Sequence, residues 1–98
     1  MMNDSFEIVW STIAEDSYTE ILRYLLDNRY SNAALKLDSS TEKLLNRLRT
    51  FSELCPPSSK IESLRKCVVN EYVSMIYRVS GNLIEIVAFV DNRSGHDF

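Results

Sequence analysis

Few side chains in this sequence are equipped for chemistry, and most of them lie in its second half. Arg65, Lys66, Arg78, Arg93 and His96 are the cationic and proton-transferring candidates. Guanidinium groups grip phosphate or carboxylate through paired hydrogen bonds, and an imidazole titrating near neutrality can pass a proton. Together they would make a phosphate clamp with a proton donor. Each also has a plainer role. Arg78 is expected to pair across a hairpin with Glu85 or Glu71, Arg93 to pair locally with Asp91, and His96 to be solvated in a fraying polar tail. Arg65 and Lys66 are adjacent on a strand, so at least one of them points to solvent.

Other chemistries find no support. Gly81 and Gly95 are the sole glycines, so there is no glycine-rich phosphate loop, and no Gly-x-Ser-x-Gly elbow occurs. One histidine and no Cys-x-x-Cys leave a tetrahedral metal site short of ligands, and no cofactor motif is present. Cys55 and Cys67 allow at most one bridge, which a reducing compartment disfavours. Cys67, inside an apolar run, is expected to be a small unpaired core residue.

The elements that position these residues follow from periodicity. Phe6 to Trp10 suits a short strand entering a core. Thr12 with Glu15 has the spacing of a capping box. Ala14, Tyr18, Ile21, Leu22, Leu25 and Leu26 then trace one helical stripe ending near Asn28-Arg29. A second helix starts near Ser31-Asn32, either of which could cap it. Its stripe is Ala34, Leu37, Thr41, Leu44, Leu45 and Leu48, ending at Phe51. The short link makes an antiparallel helical hairpin. Ser52 to Ser59, with Pro56-Pro57, is a linker. Strands are expected from about Ile61 or Ser63 to Val69, from Tyr72 to Val79 and from Leu83 to Val90, with a tight turn at Ser80-Gly81-Asn82.

The order β-α-α-β-β-β gives an α+β fold, an antiparallel C-terminal sheet with the helical hairpin packed on one face, in a single domain over residues 1–98. Simple alternation places Val73, Met75, Tyr77 and Val79 with Ile84, Ile86, Ala88 and Val90 against the helices. Tyr72, Ser74, Ile76, Arg78, Glu85, Val87 and Phe89 are then left on the open face. Arg65, Arg78 and Arg93 are expected to gather on that open face as a modest positive patch.

The chain has 98 residues, 45% of them hydrophobic and 26% charged, with 11 Lys+Arg against 14 Asp+Glu for a net charge of −3. That argues against nucleic-acid binding through bulk positive charge. Residues 1–53 carry 6 basic and 9 acidic groups, and residues 54–98 carry 5 of each, so the negative excess sits on the helices. No apolar run is long enough to span a bilayer, and the first residues lack the basic and apolar segments of a signal peptide. A cytoplasmic location without membrane contact is the expectation.

The pattern as a whole resembles a known family. It comprises Ile8-Val9-Trp10, then Ala14, Asp16, Ile21, Tyr24 and Leu25, then Ala34 and the leucines up to Leu48. Phe51 with Pro56-Pro57 follows, then LRKCVVNEYVSMIYRV from Leu64 to Val79 and IEIVAFVDNR from Ile84 to Arg93. These are similar to the RelE/ParE superfamily of bacterial type II toxin–antitoxin toxins, nearly end to end. The resemblance implies a growth-inhibiting toxin neutralised by a small cognate antitoxin. It offers two mechanisms: a metal-independent endoribonuclease acting on mRNA in the ribosome, or a non-catalytic toxin that binds a protein such as DNA gyrase. An inactive member retaining only antitoxin binding is a third reading.

Under the nuclease reading, Arg65, Arg78, Arg93 and His96 are the catalytic candidates. The arginine which that branch places three residues before the strand tyrosine falls here at Ser74, which cannot hold phosphate charge as a guanidinium does. Phe98 at the tail can stack on a base but cannot move a proton. With the acidic balance, this favours action by protein contact. Ile76, Val87 and Phe89, read as exposed sheet residues, are the antitoxin-binding candidates.

Overall fold

The structure, a computed structural model, describes residues 5–93. Its elements run β1 (Glu7–Trp10), α1 (Thr12–Asp27), α2 (Ser31–Leu48), β2 (Arg65–Val68), β3 (Val73–Ser80) and β4 (Leu83–Asp91). The last three strands form the expected antiparallel meander. β1 adds to its far side, parallel to β4, so the sheet order is β1-β4-β3-β2. Gly81 takes a positive φ of 60° in the β3–β4 turn, as a tight hairpin requires.

The helical stripes bury as the periodicity predicts, except at their ends, where Leu26 and Phe51 are exposed and α2 stops at Leu48. Ala14 and Tyr18 from α1, with Leu37, Leu45 and Leu48 from α2, pack against Val73, Met75, Tyr77, Ile84 and Ile86 of the sheet. The capping residues differ from the expectation. Ser11, not Thr12, caps α1: its hydroxyl accepts from the Ala14 N–H at 3.0 Å and donates to the Val87 carbonyl at 2.8 Å. The cap therefore also ties the helix to the sheet, which a capping box would not. α2 is flanked by Tyr30 with no side-chain cap, and Ser31 is already helical. The joint between the helices is closed by backbone instead. Arg29 adopts φ 64°, its N–H bonds the Leu26 carbonyl at 3.1 Å, and the Tyr30 N–H bonds the Leu25 carbonyl at 2.7 Å. That is a Schellman ending with arginine where glycine is usual.

One irregularity re-sorts the sheet. Ile76 pairs with Ala88, but Tyr77 pairs with Ile86, which leaves Val87 as the extra residue of a bulge. An extra residue inverts side-chain parity beyond it. Phe89 therefore faces the helices beside Met75, and Ala88 and Val90 turn to the other face, the reverse of the simple alternation. α1 makes this tolerable. β1 ends opposite Ile86, and past that point the Ser11 hydroxyl meets the Val87 carbonyl while the Ser17 hydroxyl accepts from the Phe89 N–H at 3.0 Å. Two serines thus continue the hydrogen bonding where the neighbouring strand has stopped.

The cysteines also differ from the expectation. Cys55 and Cys67 are joined in a disulfide, with Cα atoms 5.2 Å apart. The reason is local geometry. Residues 56–58 run back beside β2, with the Lys66 N–H on the Pro56 carbonyl at 3.1 Å and the Ser58 N–H on the Leu64 carbonyl at 2.7 Å. This folds the linker so that Cys55 meets Cys67. Cys67 is buried in the core, as predicted, but it is not unpaired.

Two buried phenols lock these layers. Tyr18 donates to the Asp38 carboxylate at 2.6 Å, and Tyr77 donates to the Ser52 carbonyl at 2.7 Å and accepts from the Cys55 N–H at 3.3 Å. Burial is the main cause raising both phenols above the ordinary tyrosine value of 10.0; the Asp38 carboxylate adds to it for Tyr18. The folded values lie above the unfolded one. Their stabilisation is therefore complete below the unfolded value and is lost as pH rises past it. In an alkaline titration read by tyrosinate absorbance, Tyr18 and Tyr77 should ionise together with loss of the folded circular-dichroism signal. Ionisation of either phenol in the intact fold at an ordinary tyrosine pH would contradict this.

Candidate protein-binding groove

The arginines do not gather. Arg65 is paired in register with Tyr77, so it shares the face of that core residue. Its Nη1 donates to the Cys55 carbonyl at 2.7 Å, and its Nη2 lies 3.9 Å from Glu53. Arg78 follows Tyr77 and so points to the opposite face, where its Nε meets Glu85 at 2.6 Å, the cross-hairpin pair expected. Arg93 sits at the other end of the hairpin. Five residues of strand, about 17 Å at the usual rise, separate the levels of Arg78 and Val73, and Val73 is the register partner of Asp91. The single positive patch is therefore not formed: alternation and strand length place the three guanidiniums apart, each on a partner of its own. His96 and Phe98 lie outside the described residues.

Ser74 is committed to structure. It is fully buried, and its hydroxyl donates to Asn92 Oδ1 at 2.6 Å. The Asn92 amide in turn holds the Asn70 and Glu71 carbonyls, each at 3.2 Å.

The candidate antitoxin contacts also change. Phe89 is 3% exposed and Ile76 0%, so neither offers a free surface; the bulge sends Phe89 into the helix-facing core, and Ile76 lies buried on a central strand. Val87, the bulge residue, is only half-buried, and its carbonyl is taken by Ser11.

What the fold does build is a groove of about 810 Å³ between the helical hairpin and the far end of β3 and β4. The end of α1 brings Tyr24, the helix joint brings Tyr30, and the residue before β3 brings Tyr72, exposed by 56%, 55% and 49%. Val73, Leu37 and Phe89 form its buried apolar floor. Arg93 lies on one lip, its guanidinium on both oxygens of Asp91 at 3.1 and 2.9 Å and 5.1 Å from the centroid of the Tyr72 ring. The hydrogen bonds from Arg93 hold the Asp91 carboxyl below the usual carboxylate range, and Asp91 raises the Arg93 guanidinium in return. The neighbouring Glu71 carboxylate raises the Tyr72 phenol.

This arrangement suits binding. Exposed tyrosines around a desolvated apolar floor, with an arginine held over one ring, are the composition of protein-interface hot spots. Among the described residues no cluster of His, Cys, Asp and Glu could hold a metal ion, and no helix is long and apolar enough to cross a membrane. The sequence reading missed Tyr24 and Tyr30. Their signal was present: both fall off the buried helical stripes, where a large aromatic has no core to fill.

The family described as ParE toxin of type II toxin-antitoxin system, parDE, matches the chain over residues 8–95. Three experimentally determined structures share the fold. A chromosomal ParDE TA system from P. aeruginosa superposes with a TM-score of 0.74 at 17% identity, covering 90% of this chain and 97% of that one. A YoeB dimer from Staphylococcus aureus gives 0.60 at 19% identity, covering 86% and 93%. A conserved hypothetical protein from Helicobacter pylori gives 0.56 at 12% identity, covering 89% and 94%. No curated protein matches the sequence at a significant level.

Proposed function

Because the chain belongs to the ParE toxin family of type II toxin–antitoxin systems, we propose that it is a cytoplasmic toxin that arrests growth by binding a protein. DNA gyrase is the target the family resemblance implies, and the tyrosine groove is the seat of the cognate antitoxin. The observation that carries this reading is the contrast between two parts of the surface. The guanidiniums of Arg65, Arg78 and Arg93 are dispersed and engaged, so they do not compose a phosphate clamp. The groove, by comparison, offers apolar area ringed by aromatic side chains, which is what a protein segment needs in order to dock. The net charge of −3 points the same way, since it gives no steering toward ribosomal phosphate.

Induction of the full chain without antitoxin should stop growth, and the purified chain should inhibit gyrase supercoiling in a dose-dependent way. Growth arrest with gyrase unaffected at saturating toxin would remove gyrase as the target. If that were accompanied by mRNA cleavage on programmed ribosomes, and the cleavage were lost in Arg93→Ala and His96→Ala, the nuclease reading would replace this one. Induction without any arrest would leave only antitoxin binding.

A further inference from the structure

We propose that Cys55 and Cys67 form a reversible thiol–disulfide site, opened by glutathione-class thiols and closed by glutathione-class disulfides. Its state sets how firmly the stretch between α2 and β2 is held to the sheet. This stretch, residues 49–64, is the longest connection of the fold and contains neither helix nor strand. Beyond the peptide chain itself, the Cys55–Cys67 disulfide is the covalent cross-link that ties it to β2.

Three observations support a switchable tie. First, the hydrogen bonds that place Cys55 do not depend on the sulfurs. The Arg65 guanidinium and the Tyr77 hydroxyl hold its carbonyl and N–H, and the Lys66 N–H holds the next carbonyl. The two thiols of the reduced chain would thus stay close enough to re-form the bond. Second, the two cysteines are unequally buried. Cys55 is 9% exposed, and Cys67, on a strand in the core, is 1% exposed. Cys55 is thus the nearer of the two residues to solvent and the side from which an incoming thiolate approaches. Third, the Arg65 guanidinium on the Cys55 carbonyl, 2.7 Å away, places a cation in the backbone surroundings of the exchanging residue. In a reducing compartment a disulfide that forms is ordinarily a transient or sensing one rather than a permanent staple.

The exchange balances in two steps. A glutathione thiolate attacks Cys55 Sγ, forming a mixed disulfide, and Cys67 leaves as a thiolate and takes up a proton. A second glutathione thiolate attacks the glutathione sulfur of the mixed disulfide, releasing Cys55 and glutathione disulfide. Two glutathione thiols are oxidised as the cystine is reduced to two cysteines, and closure is the reverse.

The test uses the full chain in buffers of reduced glutathione or of glutathione disulfide, read by intact mass and by limited trypsin cleavage after Lys60. The oxidised chain should weigh two hydrogens less, with no alkylatable thiol. It should be nicked after Lys60 about tenfold more slowly than the reduced chain, and the change should reverse on buffer exchange. Cys55→Ser/Cys67→Ser should be nicked at the reduced rate in both buffers. The proposal is overturned if both thiols stay alkylatable in glutathione disulfide, if nicking after Lys60 is equal in the two buffers, or if the double variant keeps a redox response. The comparison on the unsubstituted chain stands by itself should the double variant fail to fold.

Discussion

Tyr72→Ala should weaken binding of the cognate antitoxin by about 30-fold or more, and Tyr24→Ala/Tyr72→Ala by more than about a thousandfold, with the fold intact. An aromatic anchor in a desolvated interface contributes about 2 kcal/mol or more on truncation, and each 1.4 kcal/mol is about tenfold in affinity. Tyr72 has two roles there. Its ring forms one wall of the groove, and it carries the Arg93 guanidinium, which Asp91 holds in place. Removing the ring leaves that cation without its platform as well as opening the wall. Both tyrosines are about half exposed in the free chain, so their loss should shift folding stability by no more than about 0.5 kcal/mol. Arg78→Ala is the matched control. Its ion pair with Glu85 is a surface one at the other end of the hairpin, and antitoxin affinity should not change. Calorimetric titration of antitoxin into each variant reads the difference, and coexpression reads it in cells, where the double variant should remain toxic despite the antitoxin. Normal binding by the double variant would place the antitoxin elsewhere on the surface.

The fold was legible because its determinants are local. The stripes of α1 and α2, the β-branched runs of β3 and β4 and the glycine of their turn each declare an element within a few residues. What escaped the sequence depends on meetings between distant residues. The bulge at Val87 is an example. The stretch from Leu83 to Val90 offers an apolar residue at almost every position, so alternation alone cannot tell whether Ala88 or Phe89 faces the helices. The choice is made by Ser11 and Ser17, more than 70 positions earlier in the chain, whose hydroxyls donate to the Val87 carbonyl and accept from the Phe89 N–H. The disulfide is similar: two cysteines 12 residues apart become partners only because the proline linker turns back along β2. The site was less legible than the fold. Charge drew attention to Arg65, Arg78 and Arg93, but a guanidinium that has found its carboxylate or carbonyl is a finished contact. The groove is made of tyrosines from a helix end, a helix joint and a strand start, and only the tertiary fold brings those three together.

Phe89→Ala should be among the most damaging single substitutions in the chain, lowering stability by about 3–5 kcal/mol. The residue is 3% exposed, and its ring lies 4.7 Å from that of Tyr18 and 5.2 Å from that of Trp10, which are themselves 5.4 Å apart edge to face. Truncation removes two ring contacts, each contributing about 0.5–1.5 kcal/mol beyond burial, and leaves a void beneath the groove. A domain of this size has only about 5–15 kcal/mol of stability, so the midpoint of thermal unfolding should fall by roughly 15–30 °C. Phe89→Leu, which refills most of the volume, should recover much of the loss. Trp10 provides a direct reading, since its fluorescence should change in the folded Phe89→Ala protein before any unfolding. The same substitution separates two registers of the sheet. If β4 alternated without a bulge, Phe89 would stand on the opposite face, away from Tyr18 and Trp10, and its loss would leave the Trp10 fluorescence of the folded protein unchanged. An unchanged Trp10 signal in folded Phe89→Ala would therefore refute the bulge at Val87, and with it the apolar floor on which the groove depends.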